Sequence, residues 1–303
     1  MNDSVIMKPI IREVEVKSVI TKTDVPVCDF AVNPYVGCTH GCKYCYACFM
    51  KRFSNHPEPW GEFLDVKHWP ELTHPEKYAG KEFFFGTVTD PYNPQEEIYR
   101  RTRSLLEQLR GSGVLVSIQT KSDLVLRDLD LLKSFPDLRV GFSINTLDES
   151  FRADMDKAVS IERRLAAMKT LHDAGIRTTC FISPIFPGIT DVPAIIERVK
   201  GQCQLIWLEN LNLRGSYKGV ILEYIREKHP ELVPLYDDIY TRRINKYWEK
   251  LDETLREYAA ANGLDYVVDD DSIRKDFDAP PTIVNFFYHE KVRKSAKKRT
   301  RDQ

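Results

Sequence analysis

The sequence predicts an α/β fold: an open partial (β/α)6 TIM-like barrel with a C-terminal helical extension and a basic tail. Three observations lead there. Six apolar runs of strand length recur along the chain. Segments with helical patterning separate them. Most of the runs are continuous rather than alternating, the pattern of parallel strands covered on both faces. Strand–helix alternation builds a parallel sheet, and six units fall short of the eight that close a full barrel.

The six runs are "FAVNPYV" (30–36), "EFFFGTV" (82–88), "VLVSIQT" (114–120), "RVGFSIN" (139–145), "RTTCFIS" (177–183) and "LIWLENLN" (205–212). Between them, "QEEIYRRTRSLLEQLRGSG" is amphipathic and ends in Gly, a helix stop. "SDLVLRDLDLLKSF" opens on Ser122 and Asp123, which suit a helix cap. "SIERRLAAMKTLHDAG" closes at Gly175, and "DVPAIIERVKG" follows Thr190 and Asp191. The barrel is expected over 28–215, after an N-terminal extension at 1–27. A long helix over about 235–262 and the segment "GLDYVVDDD" are expected outside it, in an extension over 216–290 where "DAPPTIVNFF" reads as a linker.

Of the 303 residues, 42% are hydrophobic, enough for a real core. No apolar run approaches a membrane span, and the start has no basic-then-apolar signal pattern. The expected location is the cytoplasm, away from membranes, where thiols stay reduced. Seven cysteines, an odd count, also suit a disulfide framework poorly. Residues 291–303 hold seven basic side chains and one acidic, while the rest of the chain carries 37 basic against 44 acidic. Such a tail can touch nucleic acid electrostatically; the simpler expectation is a solvated, disordered segment.

Four cysteines crowd into "NPYVGCTHGCKYCYACFM" (33–50): Cys38, Cys42, Cys45 and Cys48. Thiolates are soft ligands for zinc or iron–sulfur clusters. Structural zinc takes four ligands, often as two well-separated pairs, and no second separated pair exists here. A ferredoxin-like site would saturate its cluster with four cysteines. A third option is a cluster held by Cys38, Cys42 and Cys45 alone, with one iron open to a cofactor. Cys48 then reads as a helix residue packing inward, and His40 as loop.

The spacing C-x3-C-x2-C after a first strand, with Tyr44 before the last cysteine, resembles the radical S-adenosylmethionine (SAM) superfamily over roughly 28–215. The resemblance implies a [4Fe–4S] cluster on Cys38, Cys42 and Cys45, with SAM on its open iron. Reductive cleavage of SAM then gives a 5′-deoxyadenosyl radical that abstracts hydrogen from a substrate. It also implies an electron donor such as flavodoxin or ferredoxin. "GTVTDPYNP", "TKS" and "FSIN" resemble the spore photoproduct lyase-like branch. The longer string through "HPEPWGEFLDVK" is most similar to radical SAM mobile pair protein B, a group encoded beside a second radical SAM protein.

On that resemblance, Tyr44 and Tyr46 would flank the cofactor, and Thr89 and Asp90 would face the SAM amino group. Lys121 would pair with its carboxylate, Ser143 would lie near ribose or carboxylate, and the backbone near Ser183 would meet adenine. One departure stands out. The lyases carry a hydrogen-donating cysteine just before the Ser-Asp pair, where this chain has Val88. Cys180 could supply a thiol only from the barrel interior. Tyr92, Asn93, Glu209 and Asn212, just past strands, are the candidate substrate contacts. Asp90 and Lys121 could also be plain surface residues, and Arg163 and Arg164 solvated or ion-paired. The expected substrate is nucleic acid or a nucleotide. Radical modification of a protein or peptide partner is the alternative enzyme, and a nucleic-acid-binding module with a structural metal is the alternative from another class.

Overall fold

In the computed structural model, residues 8–25, 27–268 and 281–286 are described. The basic tail lies outside the described residues. The strands in chain order are β1 (Ile10–Glu15), β2 (Ile20–Lys22), β3 (Phe30–Val32), β4 (Tyr35–Val36), β5 (Phe63–His68), β6 (Glu82–Phe85), β7 (Leu115–Thr120), β8 (Leu138–Ser143), β9 (Arg177–Ile185), β10 (Leu205–Asn210), β11 (Asp265–Val268) and β12 (Thr282–Asn285). Strands β3, β6, β7, β8, β9 and β10 pair in that order, all parallel. These are the six expected strands, and the sheet does not close on itself among the described residues. The fold is a partial TIM-like barrel.

The first run is shorter than its apolar pattern suggested. It breaks at Asn33-Pro34, because Pro cannot continue a ladder in a central strand. Asn33 fills the gap: its amide donates to Thr87 Oγ1 at 2.8 Å and its Oδ1 accepts from Val88 N–H at 3.1 Å. The chain then crosses into a second sheet, where β4 lies antiparallel to β5 and β5 parallel to β1.

The helices follow the expected rhythm. They are α1 (Glu96–Tyr99), α2 (Arg101–Leu109), α3 (Leu129–Leu132), α4 (Glu149–Met155), α5 (Ile161–Asp173), α6 (Val192–Val199), α7 (Tyr217–Lys228), α8 (Val233–Tyr240) and α9 (Lys246–Asn262). Ser122, Ser160 and Asp191 each accept a hydrogen bond from the first turn they precede, satisfying donors the helix cannot. Gly175, at φ +82°, ends α5.

The extension differs from expectation. The long helix over 235–262 is two helices, interrupted where Arg243 takes a left-handed backbone at φ +60°. The segment expected outside the barrel, and the one read as a linker, both join the main sheet. Strand β12 pairs parallel with β10, and β11 parallel with β12. The physical reason is the "TIVN" run: Thr282, Ile283, Val284 and Asn285 are all buried, and β-branched residues fit a covered pleat.

Side chains alternate across the strands. Val116, Ile118, Val140, Phe142, Cys180, Ile182, Ile206 and Leu208 point into one hydrophobic cluster that includes residues of α2, α5 and α6. Each large apolar side chain buried there contributes about 1.5–3 kcal/mol relative to exposure. The alternate positions carry Ser117, Gln119, Gly141, Ser143, Thr179, Ser183 and Glu209, together with the apolar Leu115, Phe181, Leu205 and Trp207. The strands are therefore not apolar on both faces. One face packs against helices; the other is a trough, polar at the strand ends where Gln119, Ser143, Ser183 and Glu209 stand, and apolar where Phe181, Leu205 and Trp207 cluster.

Candidate active site

The loop after β4 carries Cys38, Cys42 and Cys45 to the C-terminal ends of the parallel strands. Its glycines allow the path. Gly37 sits at φ +87°, and a Cβ there would meet the Phe63 carbonyl oxygen at 2.4 Å. The loop is tied on two sides. Thr89 Oγ1 donates to the Gly37 carbonyl at 2.6 Å, while Lys43 N–H donates to Met155 O and Lys157 N–H to His40 O.

All seven cysteines are free thiols. Burial, then the Asp90 carboxylate and Cys45, push the Cys38 thiol up to about 12, while the backbone at Asp90 and His40 pulls the other way. Burial raises Cys42 strongly, with the Lys121 ammonium opposing it and Cys45 and Cys38 adding to it. Burial also raises Cys45, while the Trp60 indole favours its thiolate. Ionising the three thiols together is unfavourable, because thiolates so close repel one another, and a cation among them offsets that cost. That donor set fits an iron–sulfur cluster, whose binding releases the thiol protons. Among the described residues no three His, Cys, Asp or Glu side chains converge on a single-ion site.

Tyr44 is buried, its ring edge-on to Phe186 at 5.5 Å and its hydroxyl on Asp156 Oδ2 at 3.2 Å. It anchors the loop into a second apolar cluster with Phe151, Met155 and Leu211. Asp156 is held by Arg164 at 2.8 Å. Arg164 also donates to the Val159 and Ser143 carbonyls. Arg164 is therefore no solvated residue; Arg163 beside it is exposed and pairs with Asp123. An Arg set among core residues in "RRLAAM" was a signal that Arg164 is buried, but nothing local names Asp156 as its partner.

Tyr46 has an exposed ring, and its hydroxyl donates to the Thr87 carbonyl. The ammonium of Lys121 lies 5.8 Å from the Tyr44 ring centroid and no carboxylate among the described residues pairs with it. Ser143 Oγ accepts from Gln119 at 3.1 Å, which leaves its own proton to give. Ser183 Oγ donates to Glu209 Oε2 at 3.0 Å; burial raises the Glu209 carboxyl, and the Ser183 bond offsets part of this. Asn212 Oδ1 accepts from Arg214.

Two expected substrate contacts do not reach the trough. Tyr92 is fully buried, with its hydroxyl on Asp128 at 3.1 Å. Asn93 is a buried turn residue bonded to Asp90 O and Gln95 N–H. Asp90 is also engaged: its carboxylate has four internal partners, His40, Tyr92 N–H, Thr120 and Lys121 N–H. Cys180 faces the helices, with Cys203 beside it. Cys48 does not pack inward; it is half-buried, 3.6 Å from Ser216 Oγ. Gln119 is the trough residue that sequence reasoning missed, and the missing Cβ of Gly141 beside it makes its room.

A family profile described as the radical SAM superfamily matches residues 32–198, more than half the chain. This chain belongs to the radical SAM superfamily. It is similar to an uncharacterised protein of Methanocaldococcus jannaschii, 37% identical over 223 residues that cover 73% of this chain and 84% of that one. A protein of Pseudomonas phage M6 named radical SAM Nalpha-GlyT isomerase is 24% identical over 252 residues, 77% of this chain and 52% of that one. Among solved structures, spore photoproduct lyase complexed with dinucleoside spore photoproduct superposes with a TM-score of 0.62 at 14% identity, covering 91% of this chain and 82% of that one. No helix among the described residues is long and apolar enough to cross a membrane.

Proposed function

We propose that this radical SAM protein holds a [4Fe–4S] cluster on Cys38, Cys42 and Cys45, binds SAM beside it, and acts on a nucleic acid or nucleotide. The observation that carries the reading is the gathering of three thiols, Cys38 buried and Cys42 and Cys45 half-buried, with the Lys121 ammonium, which has no carboxylate partner among the described residues, at the C-terminal ends of the parallel strands, where such folds keep their chemistry. When bound, cluster and SAM would supply a 5′-deoxyadenosyl radical that abstracts hydrogen from the substrate. Lys121 would take a carboxylate by charge-assisted hydrogen bonding. Ser143 would give its proton to an acceptor in the trough, and the lone pairs of Thr89 Oγ1 would accept from an amine. Ser183 and Glu209 would bind hydroxyls near the far rim, and Asn212 lies on the loop beyond them. The Tyr46 ring and the edge of Tyr44 would exclude water from the same space. Turnover needs an electron donor, as in the family.

The substrate class rests on the surface beside Cys45. The turn of helix at Tyr46–Phe53 presents Tyr46, Phe49 and Phe53 at 59%, 42% and 69% exposure. The Arg52 guanidinium lies over the rings of Phe49 and Phe53, and no acidic residue occurs from 37 to 57. Exposed aromatic faces with cations suit stacked bases and phosphates. The lyase it resembles in fold binds a dinucleoside. With Val88 before Thr89 and Cys180 turned to the helices, neither position offers the thiol hydrogen that a lesion-reversing lyase uses.

The test is anaerobic reconstitution with iron and sulfide, reduction, and electron paramagnetic resonance with and without SAM, with 5′-deoxyadenosine assayed in the same sample. A [4Fe–4S]+ signal that shifts with SAM, with nucleoside formed, supports the reading. A zinc-filled chain that neither binds nor cleaves SAM refutes it. For the substrate, single-stranded oligonucleotide should bind with strong salt dependence, and more weakly after Phe53→Ala.

A further inference from the structure

We propose that Asp90 and His40 form a positioning pair. Together they hold the Cys38 limb of the loop and set the charge around the Cys38 sulfur, and Asp90 does not itself grip a cofactor ammonium group. The inference rests on the reading that Cys38, Cys42 and Cys45 hold an iron–sulfur cluster. An ionised carboxylate offers about four lone-pair sites. Those of Asp90 are taken: Oδ1 by Tyr92 N–H at 2.9 Å and Thr120 Oγ1 at 2.7 Å, Oδ2 by Lys121 N–H at 2.7 Å and His40 Nε2 at 3.0 Å. An ammonium arriving at Asp90 would have to displace one of them. Backbone N–H groups reach both oxygens of Asp90, so the carboxylate is the acceptor and His40 meets it through Nε2.

The four bonds join three pieces of chain. Tyr92 belongs to the loop after β6, Thr120 and Lys121 to the end of β7, and His40 to the cysteine loop. His40 is buried, and its Nδ1 has no partner among the described residues, so its ring is fixed from the Asp90 side. The link also runs along the chain: Thr89, next to Asp90, bonds the carbonyl of Gly37, next to Cys38, at 2.6 Å, and His40 lies two residues beyond that cysteine. Asp90 thus brings a carboxylate charge up to the Cys38 limb, and His40 is the donor that tempers it from the loop side. Hydrogen bonds and net charge next to a cluster's sulfurs set its reduction potential.

This arrangement predicts shifts of opposite sign. Asp90→Asn removes a negative charge near Cys38 and raises the cluster's midpoint potential. His40→Ala leaves the carboxylate with one donor fewer and lowers it. His40→Gln, whose amide can still donate, returns the potential toward that of the unaltered protein. A merely structural role would loosen the loop in both variants alike and produce no opposed pair. The measurement is a reductive titration of the reconstituted full chain without SAM, followed by paramagnetic resonance, with iron and sulfide counted per chain and SAM affinity read from the signal shift. If Asp90→Asn fails to fold, the two His40 variants decide the matter: lowered in Ala and restored in Gln supports the pair. Unchanged potentials in all variants overturn it. So does an Asp90→Asn protein with an unaltered signal and potential that binds SAM about thirtyfold or more weakly, the loss expected when a buried charged hydrogen bond to the ligand is cut. If the unaltered chain builds no cluster at all, the reading beneath falls first.

Discussion

Replacing Arg164 with Met should cost this fold far more than an ordinary helix substitution. The Arg164 side chain is 0% exposed and that of Asp156 1%, with the two 2.8 Å apart. Met keeps most of the arginine stem's apolar volume but leaves the carboxylate buried. Asp156 then has Ala158 N–H at 3.0 Å and the Tyr44 hydroxyl at 3.2 Å. The nearest other cation, Arg152, stands 3.9 Å away. Two neutral donors do not balance a desolvated charge, and removing one partner of a buried pair costs about 3–5 kcal/mol. At about 2–3 °C per kcal/mol for a chain of this size, the midpoint of thermal unfolding should fall by roughly 6–15 °C. Urea unfolding of Arg164→Met, Asp156→Asn and the double variant, followed by the fluorescence of the four tryptophans, tests this. The double variant should lose less than the sum of the singles, because each single strands a charge. A loss below about 1 kcal/mol in Arg164→Met, the range of an exposed pair, would refute the reasoning.

Single replacement of Cys38, Cys42 or Cys45 by Ala should abolish the iron–sulfur absorbance of the reconstituted protein. Cys48→Ala should retain it, and iron analysis of the four variants decides. Glu209→Gln should stabilise the protein at pH 7.5 but not at pH 4. Burial raises the Glu209 carboxyl, so its contribution is fully present below the unfolded value of about 4.3 and is lost as pH rises through the folded value. Equal melting differences at both pH values would contradict this sign. Gly37→Ala should lower the melting midpoint and the iron retained per chain. The added Cβ would meet the Phe63 carbonyl at 2.4 Å in a left-handed backbone, a strain worth more than about 1 kcal/mol.

The six parallel strands were legible because apolar continuity and helix caps are local signals, and the cysteine loop because its spacing is. What stayed hidden is decided by the fold. Asp90 follows a strand as a ligand-binding carboxylate would, and only the structure reveals that Thr120, Lys121 and His40 already occupy it. Tyr92 and Asn93 sit on the right loop but point into the core, a matter of one turn's geometry at Asp90. Arg164 reads as one of two surface arginines until Asp156, eight residues earlier, is seen to meet it under Tyr44. Strand β12 was hidden by its setting, a short run behind two prolines whose partner β10 lies about 75 residues upstream. Pairings over such separation leave no periodicity to read.

That strand has a consequence for synthesis. Leu205, Ile206, Trp207 and Leu208 of β10 take β12 as their outer neighbour, and β12 lies close to the end of the given sequence. As the chain is made from its N-terminus, the barrel strands β3 to β10 can assemble while the outer rim of β10 still offers open backbone donors and acceptors. Such a rim is a template for pairing with another chain. A nascent or truncated chain stopping before residue 281 would present that rim and the Trp207 face with nothing to cover them. Strand β12, seated between β10 and β11, thus acts as a seal, and its arrival separates a chain whose barrel strands are made from one whose rim is safe from its neighbours.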